Sequence, residues 1–345
     1  MKAALLTGIG TFETRKVPEP EITKPNDVLI RIKMVGVCGS DIHYNTTGRI
    51  GSQIIQFPFI VGHEAAGIVE QVGPEVTRVK PGQRIAIDPA VYCGHCDQCR
   101  AGRENTCREL LFLGCPGQLA GALSEHLVMP ETCCFPINDR TTFEQAVLSE
   151  PLAIAIYAVE RAKLSAGANV AVLGAGPIGM SVFHVLRANH VGAVYITDKI
   201  PERLKFSQKL KPRFCGNPDR ADVVGEISKA EPLLMDAVFE CSGDRMAYDH
   251  AVALLKPGGT LALVGIPEFD DVTFPIHELR RKEITITNIR RQSRCTQKAI
   301  DLLEAGTINL DAMVTHRFSL AETQQAFDLV ANYRDGVMKA MISVA

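Results

Sequence analysis

The sequence has no excess of charge of either sign and no long apolar run. Its 37 Lys and Arg residues nearly balance 39 Asp and Glu residues, the formal net charge is -2, and no basic block interrupts the chain. Nucleic acid and an anionic membrane surface are therefore not expected as partners. No apolar run approaches the roughly 18 residues that a membrane span needs. The opening MKAALLTGIG is too polar and too short for a secretory signal.

Internal repeats and low-complexity segments are also absent from the 345 residues. A chain of this length is long enough for about two domains. Its composition, 46% hydrophobic and 22% charged, is ordinary for a globular protein. We therefore expect a cytoplasmic, globular protein that binds neither nucleic acid nor a membrane.

Eleven cysteines are present, an odd number in a chain without an export signal. The expected compartment is a reducing cytosol, where disulfides do not persist, so a disulfide knot does not explain the stretch VYCGHCDQCRAGRENTC. A redox pair needs one CxxC, whereas here three cysteines share one turn and a fourth follows. Four thiolates on a tight loop are typical of a closed, structural zinc site, with His95 as a bystander. The predicted ligands are Cys93, Cys96, Cys99 and Cys107.

The chain changes character near residue 150. Before it, short apolar runs such as VLIRIKMVGV and QRIAIDPAV predict a β-rich domain. After it, strands such as NVAVLGAG and MDAVFECSG alternate with helices, which predicts a doubly wound parallel sheet. The segment KLKPRFCGNPDRADVV shows no regular third strand for that sheet. The predicted fold is α/β, with a discontinuous β-rich domain, 1–150 and 286–345, and a doubly wound domain, 151–285.

The stretch GAGPIG has the G-x-G-x-x-G spacing of a dinucleotide-binding turn. The spacing alone is a weak signal, but here it follows a strand, opens a helix and precedes an acidic residue after the next strand. The glycines let the backbone approach a pyrophosphate at the helix N-terminus. Asp198 would bind the adenosine ribose hydroxyls and repel a 2′-phosphate, which favours NAD over NADP. The alternative is a doubly wound domain that binds no nucleotide. The predicted cofactor-binding residues are Gly174, Gly176, Pro177, Ile178, Gly179, Asp198 and Lys199.

Cys38 in VGVCGSDIHY and His63 in IVGHEAAG are each flanked by a glycine turn. One thiolate and one imidazole could share a second zinc ion. Taken singly, each has a simpler explanation, because a lone histidine is usually structural and a lone cysteine is usually a small buried apolar residue.

Five motifs follow one another along the chain: VCGSDIHYNTTGRIG, GHE at 62–64, the four-cysteine loop, LSEPLA and GAGPIG. With these motifs, the chain resembles the zinc-dependent medium-chain dehydrogenases over nearly its whole length, and within them the polyol branch of sorbitol and xylitol dehydrogenases. The resemblance implies a GroES-like catalytic domain and a Rossmann NAD domain with the active-site cleft between them. It also implies zinc and NAD as cofactors, a polyol or related secondary alcohol as substrate, and a homotetramer or homodimer.

The resemblance further implies a catalytic zinc held by Cys38 and His63. The stretch that supplies a second cysteine in alcohol dehydrogenases is LSEPLA here, with Glu150 instead. In the polyol pattern Glu64 and Glu150 coordinate the metal directly or through water, and which of them does so stays open. The simpler alternative is that Glu150 only caps the element that begins at Pro151.

The implied reaction follows from charge. Zinc lowers the pKa of a bound substrate hydroxyl, and the alkoxide transfers a hydride to the nicotinamide, giving a ketone and NADH. By resemblance, the proton leaves through Ser40 and the nicotinamide ribose to His43, while Asp41 holds the loop. The implied catalytic residues are Ser40, His43, Glu64 and Glu150.

The substrate is the least determined part of the prediction. Tyr44 matches a family position that touches substrate, Phe112 one that lines the cleft, and Arg290 an arginine near the polyol chain. IRRQSRC departs from the sorbitol pattern with Arg291 and Arg294. These two either lie on a solvated or subunit surface or favour a sugar acid or sugar phosphate. L-Threonine and butanediol dehydrogenases are further alternatives, although HYNTTGRIG favours the polyol branch.

Overall fold

The computed structural model describes residues 1–344. The chain folds into two compact units, one formed by Met1–Glu150 with the segment that begins at Thr296, the other by Pro151–Cys295. The sequence predicts that the chain re-enters the first unit at residue 286. The chain re-enters it at Thr296 instead, because the strand Thr285–Asn288 pairs within the sheet of the second unit. None of the helices in residues 1–344 is long and apolar enough to cross a bilayer.

Short strands dominate the first part of the chain, where aliphatic residues alternate with polar ones between Gly and Pro turns. One helix follows the third strand directly and ends at Gly48, whose φ of 73° suits a helix C-terminus. The strands are β1 (Lys2–Gly8), β2 (Thr11–Lys16), β3 (Asp27–Gly36), β4 (Arg49–Ile50), β5 (Gln53–Ile54), β6 (Glu64–Val72), β7 (Arg84–Ile87), β8 (Ala90–Val91), β9 (Leu111–Phe112), β10 (His126–Pro130) and β11 (Cys134–Pro136). The helices are α1 (Gly39–Thr47), α2 (Asp97–Arg100) and α3 (Phe143–Ala162).

Strands and helices alternate through the second unit. In chain order they are β12 (Val170–Leu173), α4 (Pro177–Ala188), β13 (Val194–Thr197), α5 (Pro201–Lys209), β14 (Phe214–Gly216), α6 (Val223–Ala230), β15 (Met235–Glu240), α7 (Arg245–Leu254), β16 (Leu255–Leu263), α8 (Ile276–Lys282) and β17 (Thr285–Asn288). The strands are parallel in the order β14-β13-β12-β15-β16-β17. This is the 3-2-1-4-5-6 order of a dinucleotide-binding domain, so the predicted doubly wound sheet is confirmed.

The expectation that KLKPRFCGNPDRADVV lacks a third strand is wrong. Strand β14 pairs in parallel with β13, so the sheet continues on the side of β13 away from β12. The strand is only three residues long and lies between Pro212 and Pro218, neither of which can donate a backbone hydrogen bond. Such a short run carries too little periodicity to be recognised in the sequence.

The last elements return to the first unit: α9 (Thr296–Glu304), β18 (Val314–Ser319), α10 (Thr323–Ala331) and β19 (Lys339–Ser343). Strand β19 pairs antiparallel with β3 and parallel with β18. The main sheet therefore has the order β11-β7-β6-β3-β19-β18, with β10 also paired to β3. Val28, Ile30 and Ile32 of β3 are fully buried in its core. As the sequence predicted, the final segment completes the β-rich domain.

Helix α3 runs through LSEPLA without a break. Pro151 lies inside the helix, and Glu150 is therefore a mid-helix residue. The alternative in which Glu150 caps an element that begins at Pro151 is wrong. A capping role therefore does not explain why a glutamate is present at position 150.

Candidate active site

The four-cysteine loop brings its sulfur atoms together in the first unit. A tetrahedral zinc site with Zn–S bonds of about 2.3 Å places its sulfurs about 3.8 Å apart. Backbone N–H groups point at the sulfurs as well, from Cys96 to Cys93 at 3.4 Å and from Glu109 to Cys107 at 3.4 Å. The measured Sγ–Sγ distances are 3.9 Å for Cys93–Cys99, 3.5 Å for Cys93–Cys107, 3.6 Å for Cys96–Cys99 and 3.9 Å for Cys96–Cys107. The residues present fit a structural zinc.

His95 takes no part in this sulfur cluster. Its Nδ1 lies 3.0 Å from the Cys93 carbonyl oxygen, and its Nε2 lies 3.3 Å from a carboxylate oxygen of Glu109. The His95 side chain is 67% exposed. The imidazole therefore faces the surface, and its role as a bystander of the zinc site stays a prediction.

A second group of metal-ligand side chains forms where β3 and β6 meet. Cys38 is the N-cap of α1, directly after β3, while His63 and Glu64 lie at the start of β6. Pairing of Gly36 with Glu64 in the sheet brings the two segments side by side. One ligand atom each from Cys38, His63 and Glu64 lies within 4.8 Å of the others.

Asp41 holds this group in place. Its Oδ1 lies 3.3 Å from His63 Nδ1 and accepts from the Gly62 N–H at 3.2 Å, while Oδ2 accepts from the Cys38 N–H at 3.3 Å. Burial alone lowers the pKa of His63, but the charges of Asp41 and Cys38 outweigh it and raise that pKa well above its ordinary value. The surroundings therefore favour positive charge at this point. A carboxylate behind the imidazole also orients a ligating histidine.

Glu64 is already paired with a cation. Lys339 Nζ donates to Glu64 Oε1 at 2.8 Å and Oε2 at 2.7 Å, and to the Val37 carbonyl oxygen at 3.3 Å. Both side chains are 1% exposed. Burial lowers the pKa of Lys339, but Glu64 and Cys38 outweigh this and raise it. Sequence reasoning missed Lys339, whose only signal is a lone charge in the apolar strand MKAMISVA.

Glu150 differs from Glu64 in having an unused oxygen. It is buried, and its Oε2 has no hydrogen-bond partner within residues 1–344. Burial, helped by the nearby charges of Glu64 and Asp88, raises the pKa of Glu150 to about 7, against the opposing effect of His63 and Lys339. A buried carboxylate oxygen without a partner is costly unless a ligand completes it. The Cys38 thiol, the His63 imidazole and the Glu64 carboxylate fit a zinc ion in chemistry and spacing. Glu150 is near enough to interact electrostatically with His63 and Glu64, and its unpartnered oxygen suits an additional ligand of the same ion.

Helix α1 carries the predicted proton-relay and substrate residues. Ser40, His43 and Tyr44 lie at spacings that place them on one face of the helix. Ser40 Oγ donates to Cys38 Sγ at 3.4 Å, and His43 is half-buried. The buried Tyr44 hydroxyl donates to Gln53 Oε1 at 3.3 Å. The structure thus brings Ser40 next to the metal-ligand group.

Phe112 lies beside the same group, with its ring centroid 5.3 Å from that of His63. The three arginines of IRRQSRC belong to the second unit and follow β17. Arg290 and Arg294 are exposed and Arg291 is half-buried. Arg291 and Arg294 have φ of 54° and 57°.

The glycine turn lies between β12 and α4, as predicted. Gly174 has φ of 103°, and a Cβ on Gly179 would lie 1.8 Å from the Gly174 carbonyl oxygen, so neither position has room for a side chain. Asp198 follows β13 and is buried. Its Oδ2 accepts from the Ala175 N–H at 2.6 Å and its Oδ1 from the Ile200 N–H at 2.7 Å. The carboxylate is thereby fixed at the turn.

Two cations lie near this turn. Lys199 forms ion pairs with Asp244 at 2.7 Å and Asp219 at 3.5 Å, so its charge is largely compensated. The Arg203 guanidinium lies 3.2 Å from where a Cβ on Gly176 would be. Sequence reasoning missed Arg203, because its position depends on how α5 packs against the turn.

Comparison with known proteins agrees with this geometry. The family model described as alcohol dehydrogenase GroES-like domain matches residues 24–139, and that described as zinc-binding dehydrogenase matches residues 177–305. Sorbitol dehydrogenase from Bacillus subtilis (strain 168) is 34% identical over 343 residues, 99% of this chain and 97% of that protein. The chain belongs to the zinc-binding dehydrogenases. L-Idonate 5-dehydrogenase from Vitis vinifera is 33% identical over 95% of this chain and 91% of that protein.

Solved structures show the same two-domain fold. A zinc-binding dehydrogenase from Sinorhizobium meliloti 1021, solved with NADP, has a TM-score of 0.89 and 29% identity, covering 99% of both chains. A dehydrogenase from Escherichia coli CFT073, solved with NADH, has a TM-score of 0.88 and 27% identity, covering 100% of this chain and 99% of that one. This zinc-binding dehydrogenase is therefore an oxidoreductase with a GroES-like and a Rossmann domain that uses zinc and a nicotinamide cofactor.

Proposed function

We propose that this dehydrogenase oxidises a secondary alcohol of a polyol to a ketone and transfers the hydride to NAD. One observation carries the proposal. One ligand atom each of Cys38, His63 and Glu64 lies within 4.8 Å of the others, and Asp41 holds the imidazole. The buried Glu150, near enough to interact electrostatically with His63 and Glu64, adds a carboxylate oxygen without a hydrogen-bond partner within residues 1–344. The sorbitol dehydrogenase of Bacillus subtilis supports a polyol as substrate.

The proposed ligands of the catalytic zinc are Cys38 and His63, with Glu150 as the third protein group, directly or through a water. Glu64 is neutralised by Lys339 and is proposed to adjust the charge around the metal. When bound, zinc lowers the pKa of the substrate hydroxyl and stabilises the alkoxide that releases the hydride. The proposed structural-zinc ligands are Cys93, Cys96, Cys99 and Cys107.

The proposed proton path begins on α1. Ser40 Oγ lies next to Cys38, so it can accept the proton of a hydroxyl held at the metal-ligand group. His43, one turn along the helix, is the proposed exit, because an imidazole exchanges protons near neutral pH. His43→Ala is expected to slow turnover near neutral pH by about 100-fold and to leave the zinc content unchanged. His190→Ala is the control, and loss of zinc in the His43 variant would contradict the relay.

NAD is proposed over NADP because of the charge at Asp198. A buried carboxylate held by the Ala175 and Ile200 N–H groups cannot swing away from a 2′-phosphate. Lys199 does not offset that repulsion, because Asp244 and Asp219 already pair with it.

A sugar acid or sugar phosphate is the second candidate substrate. The cluster Arg290, Arg291 and Arg294 supports it, since guanidinium groups bind carboxylate and phosphate well. The L-idonate 5-dehydrogenase relative supports it too. A cytosolic location and a homo-oligomer remain predictions.

The decisive experiment combines metal analysis with an NAD-reduction screen. The substrates are sorbitol, xylitol, an aldonate, a hexitol phosphate, L-threonine and butanediol, each compared by kcat/KM. We expect zinc in both sites and the highest kcat/KM for a neutral polyol. Zinc in the cysteine cluster alone would contradict the catalytic site, and a preferred aldonate or hexitol phosphate would replace the polyol.

A further inference from the structure

Glu240 is a carboxylic residue with no exposed surface in the second unit. It ends β15, the strand that pairs with β12 on the side opposite β13. Its Oε1 accepts three hydrogen bonds, from the Ser242 N–H at 2.7 Å, the Ser242 hydroxyl at 2.6 Å and the Gly243 N–H at 2.8 Å. One oxygen thus organises the whole turn that follows the strand.

The other oxygen of Glu240 is unused. Oε2 is buried and has no hydrogen-bond partner within residues 1–344. Burial raises the pKa of Glu240, against the hydrogen bonds from Ser242 and Gly243. An apolar residue would avoid the cost of burying this oxygen. A glutamate at this strand end is therefore best explained by the three hydrogen bonds that its Oε1 accepts.

The turn that Oε1 holds packs directly against the nucleotide turn. A Cβ on Gly174 would lie 2.8 Å from Ser242 N and 2.9 Å from the Cys241 carbonyl carbon. On the other side, a Cβ on Gly265 would lie 2.6 Å from Gly243 N and 2.8 Å from Glu240 Oε2. The 241–243 turn therefore fills the space between Gly174 and Gly265 with no gap for a side chain.

The same turn also connects to the end of β13. The Asp244 N–H donates to Ser242 Oγ at 3.1 Å, and the Asp244 carboxylate accepts from Lys199 at 2.7 Å. Lys199 follows Asp198, which holds the Ala175 N–H of the glycine turn. Hydrogen bonds and the peptide link between Lys199 and Asp198 thus connect the 241–243 turn to Ala175 of the glycine turn.

We propose that Glu240 is a positioning residue for the nicotinamide cofactor: by holding the 241–243 turn against Gly174, it sets the backbone position of the dinucleotide-binding turn. The cofactor class is that of the family, and the inference does not depend on the proposed substrate. Glu240 acts through hydrogen-bond acceptance at Oε1. A glutamine, which keeps that acceptor and the shape, serves equally well.

The test compares Glu240→Gln and Glu240→Leu, with Glu231→Gln as the control. Glu231 accepts from the Asn169 side chain at 2.8 Å, before β12 begins, away from the glycine turn. The dissociation constants of NADH and NADPH are measured from the fluorescence of the bound cofactor, without any alcohol. Thermal unfolding of the cofactor-free protein is recorded for each variant. A wild type that binds neither cofactor would overturn this proposal together with the cofactor assignment.

We expect Glu240→Leu to weaken binding of the preferred cofactor by at least about tenfold and Glu240→Gln by less than about threefold. Glu231→Gln is expected to change stability without changing affinity. Normal affinity in a folded Leu variant, or equal loss in the Gln and Leu variants, would overturn the proposal. If the Leu variant does not fold, Ser242→Ala decides: it removes one donor to Oε1, and unchanged affinity would overturn the proposal.

Discussion

Lys339 and Glu64 form a buried ion pair whose stability depends on both charges being present. Lys339 Nζ donates to both carboxylate oxygens of Glu64, and both side chains are almost fully buried. Water therefore cannot replace either partner. Removing one member of such a pair leaves an uncompensated charge in the interior. Lys339 is a lone charge at the start of β19, whose first four residues are all buried, and no sequence pattern shows that Glu64 lies opposite. The pairing depends on how β19 enters the sheet.

Lys339→Met is expected to lower the free energy of unfolding by about 3–5 kcal/mol, because Glu64 loses its partner. Urea unfolding of the metal-free protein measures the change. Lys339→Arg is the matched control that keeps the charge, and adding Glu64→Gln to the Met variant should recover part of the loss. A Met variant as stable as the wild type would show that the pair contributes nothing.

Glu240 predicts a pH dependence of stability. Its pKa is raised in the folded state, so the native protein binds the proton more tightly than the unfolded chain. The stability that this group contributes is present below the unfolded pKa of about 4.5 and is lost as pH rises from there to the folded pKa. The difference in unfolding free energy, wild type minus Glu240→Gln, should therefore fall with rising pH. A difference that does not change with pH would mean that the pKa of Glu240 is not raised in the folded protein.

At the scale of elements, the strand, glycine turn and helix from β12 to α4 are local, and the sequence predicts them well. The VAVL run, the G-x-G-x-x-G spacing and Pro177 at the start of α4 are all contiguous. The sequence does not predict strand β14 or the continuity of helix α3. Three residues between prolines do not show a period, and a proline inside α3 is tolerated because the surrounding packing outweighs its local preference.

Asp198→Asn tests the charge at the end of β13 while preserving its shape. The variant is expected to raise the ratio of kcat/KM for NADP to that for NAD by at least about tenfold, because it removes the repulsion of the 2′-phosphate. Asp249→Asn, a change at an exposed carboxylate on α7, is the control. An unchanged ratio in the Asp198 variant would contradict the proposed basis for NAD selection.

For the whole molecule, the sequence predicts both domains and the discontinuity of the first, but not its border. IRRQSRC leads from β17 to α9 without glycine or proline, so no linker composition marks the return at Thr296. Residue types alone suggest that Cys38 and His63 could share a zinc ion, and only the resemblance adds Glu150 to them. The approach of Cys38 to His63 and Glu64 depends on the pairing of β3 with β6, which no local pattern shows.

The division into units predicts how the protein responds to loss of structural zinc. Cys99→Ser should remove about one zinc ion per chain and increase hydrogen exchange in residues 93–107. NADH binding should persist, because the glycine turn belongs to the second unit. Metal analysis, hydrogen exchange and NADH fluorescence measure these effects, with Cys215→Ser as the control. Full zinc content in the Cys99 variant would contradict the four-sulfur site.

The place of β19 in the sheet has a consequence for biosynthesis. Strand β3 emerges early from the ribosome, but its neighbour β19 is translated only after the whole second unit. Until then β10 can cover that edge only at residues 27–31, residues 34–36 stay unpaired there, and the Glu64 carboxylate lacks its ammonium partner. The nucleotide-binding unit, which is continuous in sequence, can fold while the chain is still being made. The unit that contains β3 is thus the one that matures last.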